Sequence, residues 1–252
     1  MKKVFLALVT VIFFATSFYR LESEKETRPE NHKSETVVPI QAKADPTKNS
    51  ASEIYSSINF ENSNTLNPEV FYKALLGFNN LKKAGKLPED SHLISIGDFS
   101  LSSTQKRFWV IDLEKKKVLF NTLVAHGKNT GEEFAQKFSN TESSYQSSLG
   151  FYVTETTYNG SNGYSLKLLG MDPGYNDAAL QRAIVMHGAD YVSDDFIRSQ
   201  KRIGRSWGCP AVPRALAEPI INTIKGQNCL FIYYPDQQYL SKSKWLKNSE
   251  TV

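Results

Sequence analysis

A thiol and an imidazole carry the sharpest chemical signal in the chain. Cys209 lies in Gly204-Arg205-Ser206-Trp207-Gly208-Cys209-Pro210, a stretch holding two glycines, whose backbone adopts conformations that other residues resist. On such a turn the N–H of the cysteine and that of its neighbour can converge on one point, as a developing oxyanion requires. Pro210 fixes the chain just after the cysteine and so holds the thiol's direction. A free thiol with a pKa of about 8.5 is mostly protonated at neutral pH, so a nucleophilic cysteine needs a base and a nearby cation. His187 is the candidate base, and Arg205, with Arg202 behind it, the candidate cation.

Position alone does not select the base. His187-Gly188 follows the apolar run Ala183-Ile184-Val185-Met186, which reads as a buried strand ending where glycine lets the chain turn. His126-Gly127 repeats the arrangement after Leu123-Val124-Ala125, and a histidine after an apolar strand is more often a hydrogen-bonded structural residue. Cys229 sits in Cys229-Leu230-Phe231-Ile232-Tyr233, an apolar strand without glycines or basic neighbours, where a cysteine behaves as a small hydrophobe. A Cys209–Cys229 disulfide remains the structural alternative, stabilising by roughly 3 kcal/mol in the chain-entropy model. The histidines and cysteines at 32, 92, 126, 187, 209 and 229 show no close pair at zinc-ligand spacing, so neither a metal nor another cofactor is expected.

The elements that must position these groups follow from periodicity. Asn67-Pro68-Glu69 reads as a helix start, and Val70, Phe71, Ala74, Leu75, Phe78 and Leu81 repeat at helical spacing up to a stop at Gly85. From residue 91 short β runs alternate with turns: 91–99, 108–113 and 118–125 around the charged turn 114–117, then 149–154, 164–168, 183–186 and 229–234. Helices are expected over 177–182, 194–201 and 214–225. The sum is one mainly-β domain with peripheral helices. The loop 131–144 is rich in charge and serine.

The N-terminus places that domain. Lys2 and Lys3, an apolar run from Val4 to Phe14, and Ala15-Thr16-Ser17 form a secretory signal, with an uncleaved anchor as the alternative because Phe18 and Tyr19 extend the run. Residues 18–50 hold twelve charged residues, six of each sign, and read as a disordered tether. The domain is expected over 51–240 and a tail over 241–252. Loss of Lys2 and Lys3 with the signal lowers the net charge from +4 to +2, a balance that points away from nucleic acid. Membrane contact is expected only through the N-terminal segment.

Taken together, His187-Gly188-Ala189-Asp190 and Arg205-Ser206-Trp207-Gly208-Cys209-Pro210 resemble the paired motifs of the L,D-transpeptidase catalytic domain family of bacterial cell-wall enzymes. Similarity extends from about Phe71 to Tyr234 and includes Val124-Ala125-His126-Gly127 and Ser147-Ser148-Leu149-Gly150-Phe151. The resemblance implies a mainly-β (α+β) sandwich or barrel, an exported enzyme of the periplasm or cell envelope, and peptidoglycan stem peptides as its partner. Cys209 would form a thioester, with His187 as base. Gly208, Gly188 and Trp207 are expected to orient the dyad or hold the oxyanion, and Arg205, Ser206, His126 and Ser148 to meet substrate. The alternatives are a carboxypeptidase that trims the same stems, and a non-catalytic wall-binding protein. The broader family has histidine where Trp207 stands, and a hydrophobic residue followed by arginine or asparagine where Pro210 and Ala211 stand. These departures leave the base in place and bear on donor and acceptor preference.

Overall fold

The computed structural model describes residues 46–247. The expected signal and nearly all of the expected tether lie outside the described residues. Two helices come first, α1 (Pro46–Ser57) and α2 (Pro68–Lys83). Asn67 caps α2 by accepting the Glu69 N–H at 2.8 Å, with Pro68 behind it, a device worth about 1 kcal/mol. The apolar stripe read from the sequence turns Val70, Phe71, Ala74, Leu75, Phe78 and Leu81 into the core.

Eight strands follow, β1 (Leu93–Asp98), β2 (Phe108–Asp112), β3 (Lys117–Thr122), β4 (Gly150–Gly160), β5 (Gly163–Gly170), β6 (Val185–Ala189), β7 (Ala211–Pro213) and β8 (Cys229–Tyr233). They form one sheet in the order β3-β2-β1-β8-β4-β5-β6-β7. The β1–β8 and β6–β7 pairs are parallel and the others antiparallel. Beyond β3 the chain crosses to the far edge, where the Ala125 N–H donates to Ala211 O at 2.8 Å, so the sheet comes close to closing on itself. Near-closure spares both edges from exposing long rows of unpaired backbone groups. The fold is mainly β with peripheral helices, among them α3 (Asp194–Gln200), α4 (Arg214–Ile224) and α5 (Gln237–Lys242).

Several boundaries differ from expectation for identifiable reasons. Helix α1 begins inside the segment read as tether, and the domain runs past residue 240. Trp245, in a 3-10 turn (Lys244–Leu246), is buried and donates its indole N–H to Met171 O at 2.7 Å. Residues 177–182 form turns instead of a helix. Just upstream, Asn176 Oδ1 takes the Asp172 N–H at 2.8 Å and Asp177 Oδ1 the Gly174 N–H at 2.7 Å, so the chain enters the segment through side-chain-bonded turns. The expected strand 183–186 is shifted. Ala183 has a left-handed φ of 53°, and β6 starts at Val185 and carries His187 and Gly188 inside it. Ser165 on β5 and Ala211 on β7 pair with His187 from the two sides, which keeps the chain extended through the glycine.

Candidate active site

Cys209 lies two residues before Ala211, and Ala211 is the register partner of His187 across the parallel β6–β7 pair. This topology sets Cys209 and His187 on neighbouring segments at one end of the sheet. The thiol is 9% exposed, open enough to be reached and dry enough for neighbouring charges to act strongly. The Val185 N–H donates to Sγ at 3.5 Å, and Sγ stands 3.8 Å from Ala183 O, the natural acceptor for its proton. The left-handed turn at Ala183 aims both groups.

His187 is buried, and its Nδ1 lies 3.1 Å from Gly188 O. A carbonyl only accepts, so Nδ1 carries the proton and the neutral ring keeps its Nε2 lone pair free to act as a base. Burial pulls the imidazole below its usual pKa, with Arg214 acting in the same direction and the Gly188 carbonyl opposing. Burial pushes the thiol up, against the Val185 N–H and the charge of Arg182. Both directions favour the uncharged forms, a neutral thiol and a neutral imidazole, so a nucleophilic Cys209 would have to lose its proton as substrate arrives.

The cation is also different from the one expected. The Arg205 Nη1 pairs with Glu132 at 2.6 Å and donates to Lys128 O at 3.0 Å and Gly131 O at 3.1 Å, while Arg202 Nε pairs with Glu132 at 2.9 Å. The arginine whose charge acts on Cys209 is Arg182. Its Nη2 would stand 3.4 Å from a Cβ at Gly208, and its guanidinium donates to Ser139 O at 2.8 Å, Gln146 O at 2.7 Å, Ser144 Oγ at 3.1 Å and Ser148 Oγ. Nothing in the sequence around Arg182 marks it. It borders an apolar run, and its partners lie far away along the chain.

Other expected site residues take structural duties. Ser148 is buried, donating to Ser139 O at 2.7 Å and accepting from Arg182, so it holds the arginine instead of facing substrate. Ser206 Oγ donates to Cys209 O at 2.6 Å and accepts the Gly208 N–H at 3.1 Å, which braces the turn. The Gly208 amide is thereby spent, and among the described residues no hydrogen bond uses the Cys209 N–H. Gly208 has a φ of 121° and a Cβ there would lie 2.7 Å from Gln146 O, so only glycine fits.

His126 is also corrected. It is 1% exposed and both ring nitrogens are used: Nδ1 accepts from Arg107 Nη2 at 2.7 Å, so Nε2 carries the proton and faces Gly131 O at 3.2 Å. Its backbone still serves the site, because His126 O takes the Ser206 N–H at 3.0 Å. Trp207 does not orient the thiol. Its indole is 73% exposed and stacks at a tilt on Tyr145, with 5.6 Å between ring centroids. Gly188 works by close packing, since a Cβ there would meet Ala217 Cβ at 2.8 Å and Arg214 Cα at 3.1 Å.

Cys209 and Cys229 are both free. Cys229 lies on β8, separated from β7 by β4, β5 and β6, well beyond the Cα separation of about 7 Å that a disulfide tolerates. The alternative of a Cys209–Cys229 bridge is thus excluded.

Comparison with known proteins then decides the family: the sequence matches the L,D-transpeptidase catalytic domain over residues 62–233. The chain belongs to this family. A search of curated proteins gave no match. Among solved structures, this L,D-transpeptidase-family chain is similar to an L,D-transpeptidase from Mycobacterium smegmatis at 11% identity and a TM-score of 0.36, over 57% of this chain and 59% of that one. It is also similar to the helical cell shape determining protein of Campylobacter jejuni at 15% identity and a TM-score of 0.39, over 59% of this chain and 50% of that one. The chain spans less than two thirds of the length of either. No helix among the described residues is long and apolar enough to cross a membrane.

Proposed function

We propose that this protein is an exported L,D-transpeptidase that transfers acyl groups between peptidoglycan stem peptides through a thioester on Cys209. One observation carries the reading. A nearly buried cysteine precedes by two residues the strand position paired with a buried histidine whose Nε2 lone pair is free, so strand pairing sets the two residues on neighbouring segments. Family membership supplies the substrate class.

In the first half-reaction His187 Nε2 takes the thiol proton as Sγ attacks the carbonyl of the third stem residue, a diamino acid. The Cys209 N–H receives the oxyanion. Collapse breaks the amide bond, and the terminal D-alanine amine leaves with the proton held by His187. In the second half an amine from another stem attacks the thioester, gives its proton to His187, and the sulfur leaves and recovers that proton. Water in place of the amine makes the enzyme a carboxypeptidase, and the acceptor alone separates the two. The Val185 N–H and Arg182 stabilise the sulfur anion as it forms and departs.

Incubation of the purified protein with disaccharide tetrapeptide, followed by intact-mass analysis, tests this. A covalent adduct is expected on Cys209, lost in Cys209→Ala and kept in Cys229→Ala, with His187→Ala slowing its formation far more than His126→Ala does in folded protein. A cross-linked dimer as product identifies transpeptidation, and a tripeptide alone identifies trimming. An adduct on Cys229, or none on a folded wild-type protein, would falsify the assignment.

A further inference from the structure

On the rim that leads into the Cys209 turn, a cleft of about 280 Å3 is lined by Lys128, Tyr191, Phe196, Arg202, Gly204 and Arg205. Its tie to the thiol is direct in the chain: the Gly204 N–H donates to Tyr191 O at 2.7 Å, and residues 204–209 form the catalytic turn. Burial raises the Tyr191 phenol pKa to about 12, with the charge of an ionised Cys209 acting in the same direction.

The polar lining is cationic and only partly spent. Glu132 is the carboxylate already held there, bridging Arg202 Nε at 2.9 Å and Arg205 Nη1 at 2.6 Å. Arg202 uses Nη1 on Ile203 O at 3.0 Å, and every Arg205 bond runs through Nη1. Nη2 of both arginines and the exposed Lys128 ammonium enter none of the hydrogen bonds or ion pairs found among the described residues. Three cations thus face one carboxylate whose side chain is 71% exposed. A merely solvated basic face would leave its arginines extended in water. Here the two side chains are only 21% and 17% exposed, packed where a guanidinium fork can grip a carboxylate from two sides. Tyr191 and Phe196 add an apolar wall for the carbon chain that bears it.

We propose that this cleft is a carboxylate subsite for the acyl-donor peptide, with Lys128 and Arg202 as specificity-determining cations. The inference rests on the acyl-transfer reading above, in which the donor's terminal carboxylate stands one residue beyond the attacked carbonyl. Acidic groups elsewhere on the stem are the other source of the same chemistry, and amidating each carboxylate in turn distinguishes them.

Binding of tetrapeptide to the full chain carrying Cys209→Ala, followed by calorimetry and by amide shifts in nuclear magnetic resonance, is the test. Lys128→Gln and Arg202→Gln are compared in the same background. Lys128 is exposed and holds nothing with its side chain, so its variant keeps the fold. Conversion of one donor carboxylate to the carboxamide is expected to weaken binding about tenfold or more in the parent and little in either variant, with shifts centred on Tyr191, Phe196 and Gly204. Equal losses in parent and variants, no loss on any amidation, or no binding of the acidic peptide overturns the subsite. The mass adduct on wild-type Cys209 is read separately. Coupling at the cleft without an adduct sinks acyl transfer and leaves the anion site standing, whereas an adduct formed at one rate from acid and amide donors sinks the subsite alone.

Discussion

Burial raises the Cys209 thiol pKa, and Arg182 is the cation that opposes it alongside the Val185 N–H, although no local motif surrounds this arginine. Its charge favours the thiolate, so Arg182→Gln is expected to raise the thiol pKa further and to move the pH profile of iodoacetamide alkylation upward. Alkylation at fixed neutral pH then falls about tenfold for every pH unit by which that midpoint rises. Arg182→Lys keeps the charge but loses the fork, and should recover part of the rate. An unchanged midpoint in Arg182→Gln would remove the arginine from the chemistry and leave it a strut for residues 139–148. The base behaves in the opposite sense. Burial lowers the His187 pKa, so the ring stays neutral as pH falls below 6.5 and the acid limb of Cys209 acylation should lie beneath the ordinary imidazole range.

The β6–β7–α4 unit uses strand pairing to set His187 beside the segment that follows Cys209. Helix α4 buries Ala217, Ile220, Ile221 and Ile224 and rests on β6 where Gly188 leaves room for the Arg214 backbone and the Ala217 methyl. A methyl at 188 would force helix and strand apart, an overpacking of the kind that costs about 1–3 kcal/mol. Gly188→Ala should therefore lower the denaturant midpoint and, because His187 is its chain neighbour on the same strand, slow adduct formation in the fraction that stays folded. Stability loss with an unchanged adduct rate would show that β6 transmits no strain to the imidazole.

The folded domain as a whole carries a buried polar network that makes it acid-sensitive. Arg107 is fully buried, donating to Leu101 O, Val124 O and His126 Nδ1, with its guanidinium 4.7 Å from the Phe99 ring centroid. Burial first, then Arg107, lowers the His126 pKa from the ordinary 6.5 to about 3. A depressed folded-state value means that the stability this ring contributes is fully present above pH 6.5 and is lost as pH falls towards 3. The melting temperature should drop across that window. Burial raises Asp98 and Asp172, which oppose this trend, so the slope of wild type is to be compared with that of His126→Asn. A flatter profile in the variant is expected, and parallel profiles would clear His126 of the effect.

Period and turn chemistry are local properties, and they sufficed for helix α2 with its Asn67 cap, for most of the β runs from residue 93 onward, and for marking Cys209 by the company it keeps, whereas position alone left His187 and His126 level and gave no sign of β7. Pairing is nonlocal, and three outcomes lay beyond local reading. The neighbours β5 and β7 drew His187 and Gly188 into a strand instead of past its end. Residues 177–182, expected as a helix, fold as turns. Long-range folding handed the cationic role to Arg182 and tied Arg205 to Glu132. A charge acts on whatever the fold places within a few ångströms of it, and chain order does not record that distance.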